Sequence, residues 1–257
     1  MMTPFVLRRR KIHVLKDLPK KFHRVEYCEM HPSQRELYDD ILQKQRDQIA
    51  ARAAGDLSVT KDNNNVLMQL RKAASHPLLF RRIYNDKKIQ SMSRDIMKEP
   101  KYSTPDHSQQ LIMEDMSFMW DFTLHQLCLE YPAITKYALA NNEWMDSGKV
   151  DLLKKMLPEM KARGDRILLF SGFTIVLDIL EPVLDTLGIQ YMRLDGQTKV
   201  DERQDMIDQF HEEEDITVFL LSTKAGTSYP QPQAQSCLFG NSSDMKVVLE
   251  SILRAQM

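Results

Sequence analysis

Between residues 166 and 226 short apolar runs alternate with longer amphipathic segments, and few folds accommodate that order. RILLFS is followed by FTIVLDILEPVLDTL, then IQYMRL by DGQT and VDERQDMIDQFHEEE, and the stretch closes on ITVFLLSTKAG. The short runs are rich in Ile, Leu, Val and Phe, while the longer ones place apolar residues at helical spacing. This is the pattern of βαβαβ, a parallel sheet with crossover helices. The runs are apolar throughout, as strands are when helices cover both faces of their sheet.

Ligands of such sheets meet the loops at the carboxyl ends of the strands. Three loops qualify: Ser171-Gly172, Asp195-Gly196-Gln197-Thr198 and Ser222-Thr223-Lys224-Ala225-Gly226. Each is small, polar and able to hydrogen-bond. Thr198 is spaced to cap the next helix, with Asp201 completing a capping box. A capped helix start presents free N–H groups and a partial positive charge, which suits phosphate. Three such loops side by side make a groove for a phosphate backbone. They are equally what an ordinary α/β domain uses for its βα turns, and these residues alone leave both readings open.

The blocks FVLRRRK, VLMQLRKAASHPLLF, DSGKVDLLKKML, RILLFSGFTIVLDIL, YMRLDGQTKVDERQDMIDQF and VFLLSTKAG stand in the order seen in Swi/Snf-type chromatin-remodelling ATPases. These are helicase-like DNA translocases of superfamily two, and the chain resembles them from residue 3 to residue 226. The segment KEPKYSTPDHSQQLIMEDMSFMWDFTLHQLC resembles the subgroup of SWI/SNF-related, actin-dependent regulators of chromatin containing a DEAD/H box.

The resemblance implies an α/β fold: a partial RecA-like lobe, with the parallel sheet and flanking helices of P-loop NTPases, preceded by a mainly helical protrusion and insertion. It divides the chain into the end of a first lobe and linker (1–30), a helical protrusion and insertion (31–145), a partial C-terminal lobe (146–226) and a divergent, partly disordered tail (227–257). It also implies that Ser171, Gly196, Gln197, Thr198, Ser222, Thr223 and Lys224 line a DNA-backbone face. Hydroxyls, backbone N–H groups and a lysine contact phosphate without reading sequence. The resemblance puts Arg8, Arg9 and Arg10 along the groove between lobes, whereas their local chemistry favours a solubilising basic strand; Arg203 is expected as a structural helix residue. The family usually has Gln where this chain has Gly172, so the resemblance gives that position no role.

In the full-length family ATP and Mg²⁺ sit between two lobes. This chain contains no GxxxxGK[ST] and no Asp-Glu-Gly/Ala-His box, and after STKAG it does not continue into the family's GINL and arginine-bearing blocks. Loss of an arginine finger alone costs about a thousandfold in related phosphoryl-transfer enzymes. The expectation is a fragment with no catalytic residue, no cofactor and no ATPase activity of its own. It retains weak, salt-dependent binding to DNA or the nucleosome, in the nucleus. Gly148-Lys149 is no phosphate loop, because the preceding glycine and strand are missing.

Composition adds limits. Formal net charge is −1, so nucleic-acid binding does not follow from the total. Residues 1–30 hold eight Lys/Arg against three acids, and residues 195–215 nine acids against two bases. Cys28, Cys128 and Cys237 form no CxxC pair, which suggests free thiols in a reducing compartment and no metal. No apolar stretch approaches membrane-spanning length and no signal peptide is expected.

Residues 22–30 alternate as a strand. A helix from Pro32 carries Leu37, Tyr38, Ile41, Leu42 and Ile49 on one stripe and frays near Ala54. A second helix, 66–75, is stopped by His76-Pro77, with His76 a turn residue. The Met-rich region 83–144 reads as helical core packing. Residues 227–243 read as loop, and 244–257 as a short amphipathic helix using Met245, Val248, Leu249, Ile252 and Leu253. The sheet edge beyond residue 226 is expected to be incomplete. The methionines and that terminal helix keep a second class open, a non-enzymatic module that binds a protein partner. A third possibility is an incomplete product with no stable fold.

Overall fold

The computed structural model describes residues 21–54, 66–103, 108–223, 236–241 and 246–252. Arg8–Arg10, the 62–65 loop and Lys224 lie outside them. Strand β1 (Lys21–Tyr27) leads into helices α1 (Pro32–Ala53), α2 (Val66–Ser75), α3 (Asp86–Ile96), α4 (Gln109–Phe118) and α5 (Asp121–Glu130). Helix α6 (Gly148–Ala162) then opens the alternating part: β2 (Ile167–Ser171), α7 (Thr174–Thr186), β3 (Gln190–Leu194), α8 (Val200–Glu212) and β4 (Ile216–Ser222). Strands β5 (Ser236–Asn241) and β6 (Lys246–Ile252) follow.

The six strands form one sheet in the order β1-β6-β5-β2-β4-β3. Strands β2, β4 and β3 are parallel neighbours, as the alternation requires. All residues of β2 and of β4 are buried because both faces are covered. Leu153, Leu157 and Met160 of α6 and Leu177, Leu180 and Leu184 of α7 meet Ile167, Leu169, Val218 and Leu220 on one face. Ile207 and Phe210 of α8 meet Leu168, Phe170, Phe219 and Leu221 on the other.

Helices α6 and α7 stop in the same way. Gly164 (φ 75°) and Gly188 (φ 63°) take left-handed conformations that cost glycine nothing. Asp165 N–H reaches back to Met160 O and Ile189 N–H to Leu184 O, closing a Schellman turn before each strand.

Two expectations for the tail are overturned. Residues 246–252 form a strand where the apolar spacing suggested a helix, and residues 236–241 form a strand in what read as loop. Nor is the edge of β2 open: β5 pairs with it in parallel, Ile167 opposite Ser236. Strand β6 then pairs antiparallel with both β5 and β1. Short apolar segments fit either periodicity, and the unpaired backbone of β2 supplies the hydrogen-bonding partner that decides for strand.

The helical region has its own core, in which Tyr84, Ile89, Met92, Ile96, Met116, Leu124, Cys128 and Ile134 are buried. Its methionines fill space as the sequence suggested. Asp121, almost wholly buried, accepts N–H bonds from Arg82 (2.8 Å), Ile83 (2.8 Å) and Tyr84 (3.1 Å), tying the segment before α3 to the start of α5. Ile179 of α7 belongs to this core as well, so one helix serves both the helical region and the sheet.

A second joint is polar. The fully buried Gln34 amide donates to Ala73 O (2.7 Å), and its carbonyl oxygen accepts from Gly148 N–H (3.2 Å). Ser147 Oγ donates to Ser75 O (3.0 Å). His76 accepts from Leu78 N–H at Nδ1 (3.1 Å), so Nε2 carries the proton and donates to Trp144 O (3.0 Å). His76 is thus the structural turn residue expected of it. Among the described residues no helix is long and apolar enough to cross a membrane, and no cluster of His, Cys, Asp or Glu could hold a metal ion.

Two outcomes follow from this joint. A Cβ at residue 148 would stand 1.8 Å from Glu29 O, a backbone atom that cannot swing aside. Gly148→Ala should therefore cost about 1–3 kcal/mol or more, read as a lower midpoint in urea unfolding. Burial lowers the His76 pKa to about 4. Below its ordinary value of about 6.5 the unfolded chain takes up a proton that the folded one refuses, so the stabilisation is complete above that pH. It is lost as pH falls towards 4, by about 3 kcal/mol in all. Melting temperature should drop between pH 6.5 and 5, and drop less in His76→Asn. The share left belongs to His125, whose pKa burial also lowers.

Candidate nucleic-acid interface

Parallel register brings the three loops to one end of the sheet. Ser171 lies opposite Ser222, and Leu194 opposite Leu221, with β4 in the middle. At about 4.8 Å between strands, the three turns emerge within about 10 Å along that edge. Gly196, Gln197 and Thr223 are exposed there and Thr198 is half-buried. Ser171 (5% exposed) and Ser222 (6%) are buried. Lys224 lies outside the described residues.

Ser171 shapes its own turn. Its hydroxyl accepts from Phe173 N–H (3.2 Å) and donates to Phe173 O (2.9 Å), bending the chain into α7. The capping box expected at Thr198 does not form: Lys199 is the N-cap residue of α8 and makes no side-chain cap bond. Thr198 Oγ1 faces back instead and accepts from Asp195 N–H (3.2 Å). Within four residues, Asp195 offered that hydroxyl a nearer unsatisfied donor than the helix did. The first turn of α8 also carries Asp201 and Glu202, whose charges complement the helix dipole and repel phosphate. What this loop offers an anion is therefore its tip at Gly196 and Gln197.

The tip is held rigidly. Asp195 Oδ1 accepts from Gln197 N–H (2.8 Å), and Oδ2 takes Arg193 at both Nε (2.9 Å) and Nη2 (2.8 Å). Arg193 also pairs with Asp178 (2.5 Å) and Glu181 (3.1 Å) of α7. Burial acts to raise the Asp195 pKa, but the Gln197 N–H and the Arg193 charge outweigh it and hold the carboxyl below its ordinary value. Arg203 donates to Thr198 O (3.0 Å from Nη2) and Asp195 O (3.3 Å), the structural role expected for it.

Sequence reading missed Arg193. Its signal was an arginine inside an apolar strand, with Asp178 and Glu181 spaced i, i+3 on the preceding helix. Arg71 of α2 was missed too: its guanidinium lies over the Phe173 ring, 5.4 Å from the centroid, beside the first loop. Lys149 is buried below, and burial together with the Arg71 charge lowers its pKa.

The helix start at 147–149 does not fit the phosphates of ATP. Gly148 is pressed against the Glu29 backbone and its N–H is committed to Gln34. A short 3₁₀ turn, Glu143–Met145, precedes it in place of a strand.

A model of the SNF2-related domain matches residues 1–79, and one of the helicase conserved C-terminal domain matches residues 148–228. The crystal structure of the C-terminal part of the Fun30 ATPase domain superposes with a TM-score of 0.72 at 46% identity, over 78% of this chain and 68% of that one. The chain belongs to the Fun30 group of SNF2-type helicases. ATP-dependent helicase fft2 of Schizosaccharomyces pombe is 53% identical over 88% of the chain. The Xenopus tropicalis SWI/SNF-related matrix-associated actin-dependent regulator of chromatin subfamily A containing DEAD/H box 1 is 44% identical, also over 88%. The chain spans 18% of the length of the first relative and 22% of the second. The Fun30-group assignment agrees with the subgroup resemblance carried by residues 98–128, and the RecA-like lobe architecture agrees with the alternation of residues 166–226.

In this Fun30-group lobe Arg193 is the keystone of the middle loop. Replacing it with Met leaves three carboxylates facing one another, partly screened by solvent, at a cost of about 1–2 kcal/mol. The Gln197 amide should then exchange hydrogen faster than in the parent chain, as read by mass spectrometry or NMR.

Proposed function

We propose that this chain is the DNA-gripping part of a Fun30-type chromatin remodeller: a partial second motor lobe that binds the phosphate backbone of duplex DNA in the nucleus and does not turn over ATP alone. The observation that carries the reading is the shared edge at which the turns after β2, β3 and β4 emerge in register. Gly196 at one tip supplies a backbone N–H, Gln197 beside it a side-chain amide and Thr223 at another a hydroxyl, all suited to phosphate and none able to read bases from there. Membership of a chromatin-remodelling helicase group points the same way. The absence of GxxxxGK[ST] from the sequence and the poor fit of the 147–149 helix start support the lack of ATPase activity. Residues 146–226 make up the lobe in this reading.

The test is duplex binding by fluorescence anisotropy across a salt series. Binding should be weak, indifferent to sequence and steeply salt-dependent, with a log–log slope of about −0.9 for each phosphate engaged. Gln197→Ala combined with Thr223→Ala should weaken it several-fold without changing the melting temperature. Phosphate release from ATP should stay at background with or without DNA. No duplex binding at low salt would sink the proposal.

A further inference from the structure

Arg71 stands apart among the cations near the sheet edge. Its guanidinium is stacked on Phe173, which follows directly on Ser171-Gly172 at the carboxyl end of β2. Its Nε is buried with no hydrogen-bond acceptor, and among the described residues no carboxylate engages the guanidinium. Arg193 and Arg203, by contrast, are consumed by the loop they hold. A Cβ on the exposed Gly172 would be 3.9 Å from Arg71 Nη2, so the missing side chain leaves that end of the fork uncovered. The uncovered Nη2 end of the guanidinium is the part a ligand can reach, and a phosphate with several acceptor oxygens suits it best. Lys149 beneath it adds positive potential.

We propose that Arg71, delivered by α2 from the helical region, grips one phosphodiester of a DNA strand crossing the carboxyl edge of the sheet. The inference rests on the DNA-binding reading above and extends the site from the lobe's loops onto the protrusion. The strand then touches two separately built parts of the molecule.

The experiment is duplex binding by the full chain over a salt series, comparing the parent with Arg71→Gln and Arg71→Lys and adding ATP as competitor. Arg71→Gln should bind about tenfold more weakly at low salt, with a slope shallower by about 1. Arg71→Lys should keep the slope but not the affinity, because a point charge replaces the fork. That second variant decides the matter if Arg71→Gln melts at a markedly lower temperature than the parent. Millimolar ATP should leave the parent complex intact. An unchanged slope and affinity in Arg71→Gln would overturn the Arg71 assignment while leaving the DNA-binding reading standing. Displacement of duplex by ATP from the parent but not from Arg71→Gln would overturn it in favour of a free nucleotide. A parent chain that binds no duplex would overturn both.

Discussion

The buried amide of Gln34 holds the helical region and the sheet in one arrangement. It satisfies Ala73 O at the end of α2 and Gly148 N–H at the start of α6, both cut off from water. In that setting a hydrogen bond adds little net stability, but a missing partner costs the full desolvation of the group left behind. Ser147 and His76 repeat the pattern on either side of it. The arrangement is therefore specified rather than merely permitted. Helix α6 packs directly beneath the sheet, so whatever fixes its start also fixes α2 relative to the end of β2. Ile179, shared between the sheet-covering helix and the helical core, adds an apolar anchor to the same junction.

Two of the loops at the sheet edge, those at Ser171 and Asp195, are held rigidly. The Asp195 turn is tied by one carboxylate, two arginines and a hydroxyl, and the Ser171 turn by its own side chain. Ordering a mobile loop on binding consumes part of the interaction energy, so loops already held in place retain more of it. The buried hydroxyls of Ser171 and Ser222 belong to the scaffold in this arrangement, while Gly196, Gln197 and Thr223 form the presenting surface.

Much of this was open to sequence reading, for a physical reason. Strands β2 and β4 are buried on both faces and flanked by helices with one apolar stripe each, so burial is written directly into composition and period. The tail was misread because Lys246–Ile252 is too short for its period to be diagnostic, and its strand character comes from partners far away in the chain. Thr198 was misread because two backbone donors, Asp195 N–H and the helix start, compete for its one hydroxyl, and local spacing does not say which wins. Arg71 was missed because its neighbour Phe173 is about a hundred residues away, and nothing local marks the contact.

Charge decides where along the edge a polyanion can lie. Helix α8 and its exit carry most of the nine acids between residues 195 and 215, and Asp201 and Glu202 sit beside the middle loop. Those on the surface repel phosphate over roughly a Debye length, about 8 Å at physiological salt. At the other end, near β2, stand Arg71 and the buried Lys149. A backbone passing Gln197 is thus driven away from α8 and towards the helical region. The near-neutral total charge conceals this gradient, because the surplus of acids around α8 is offset by bases spread over the rest of the chain.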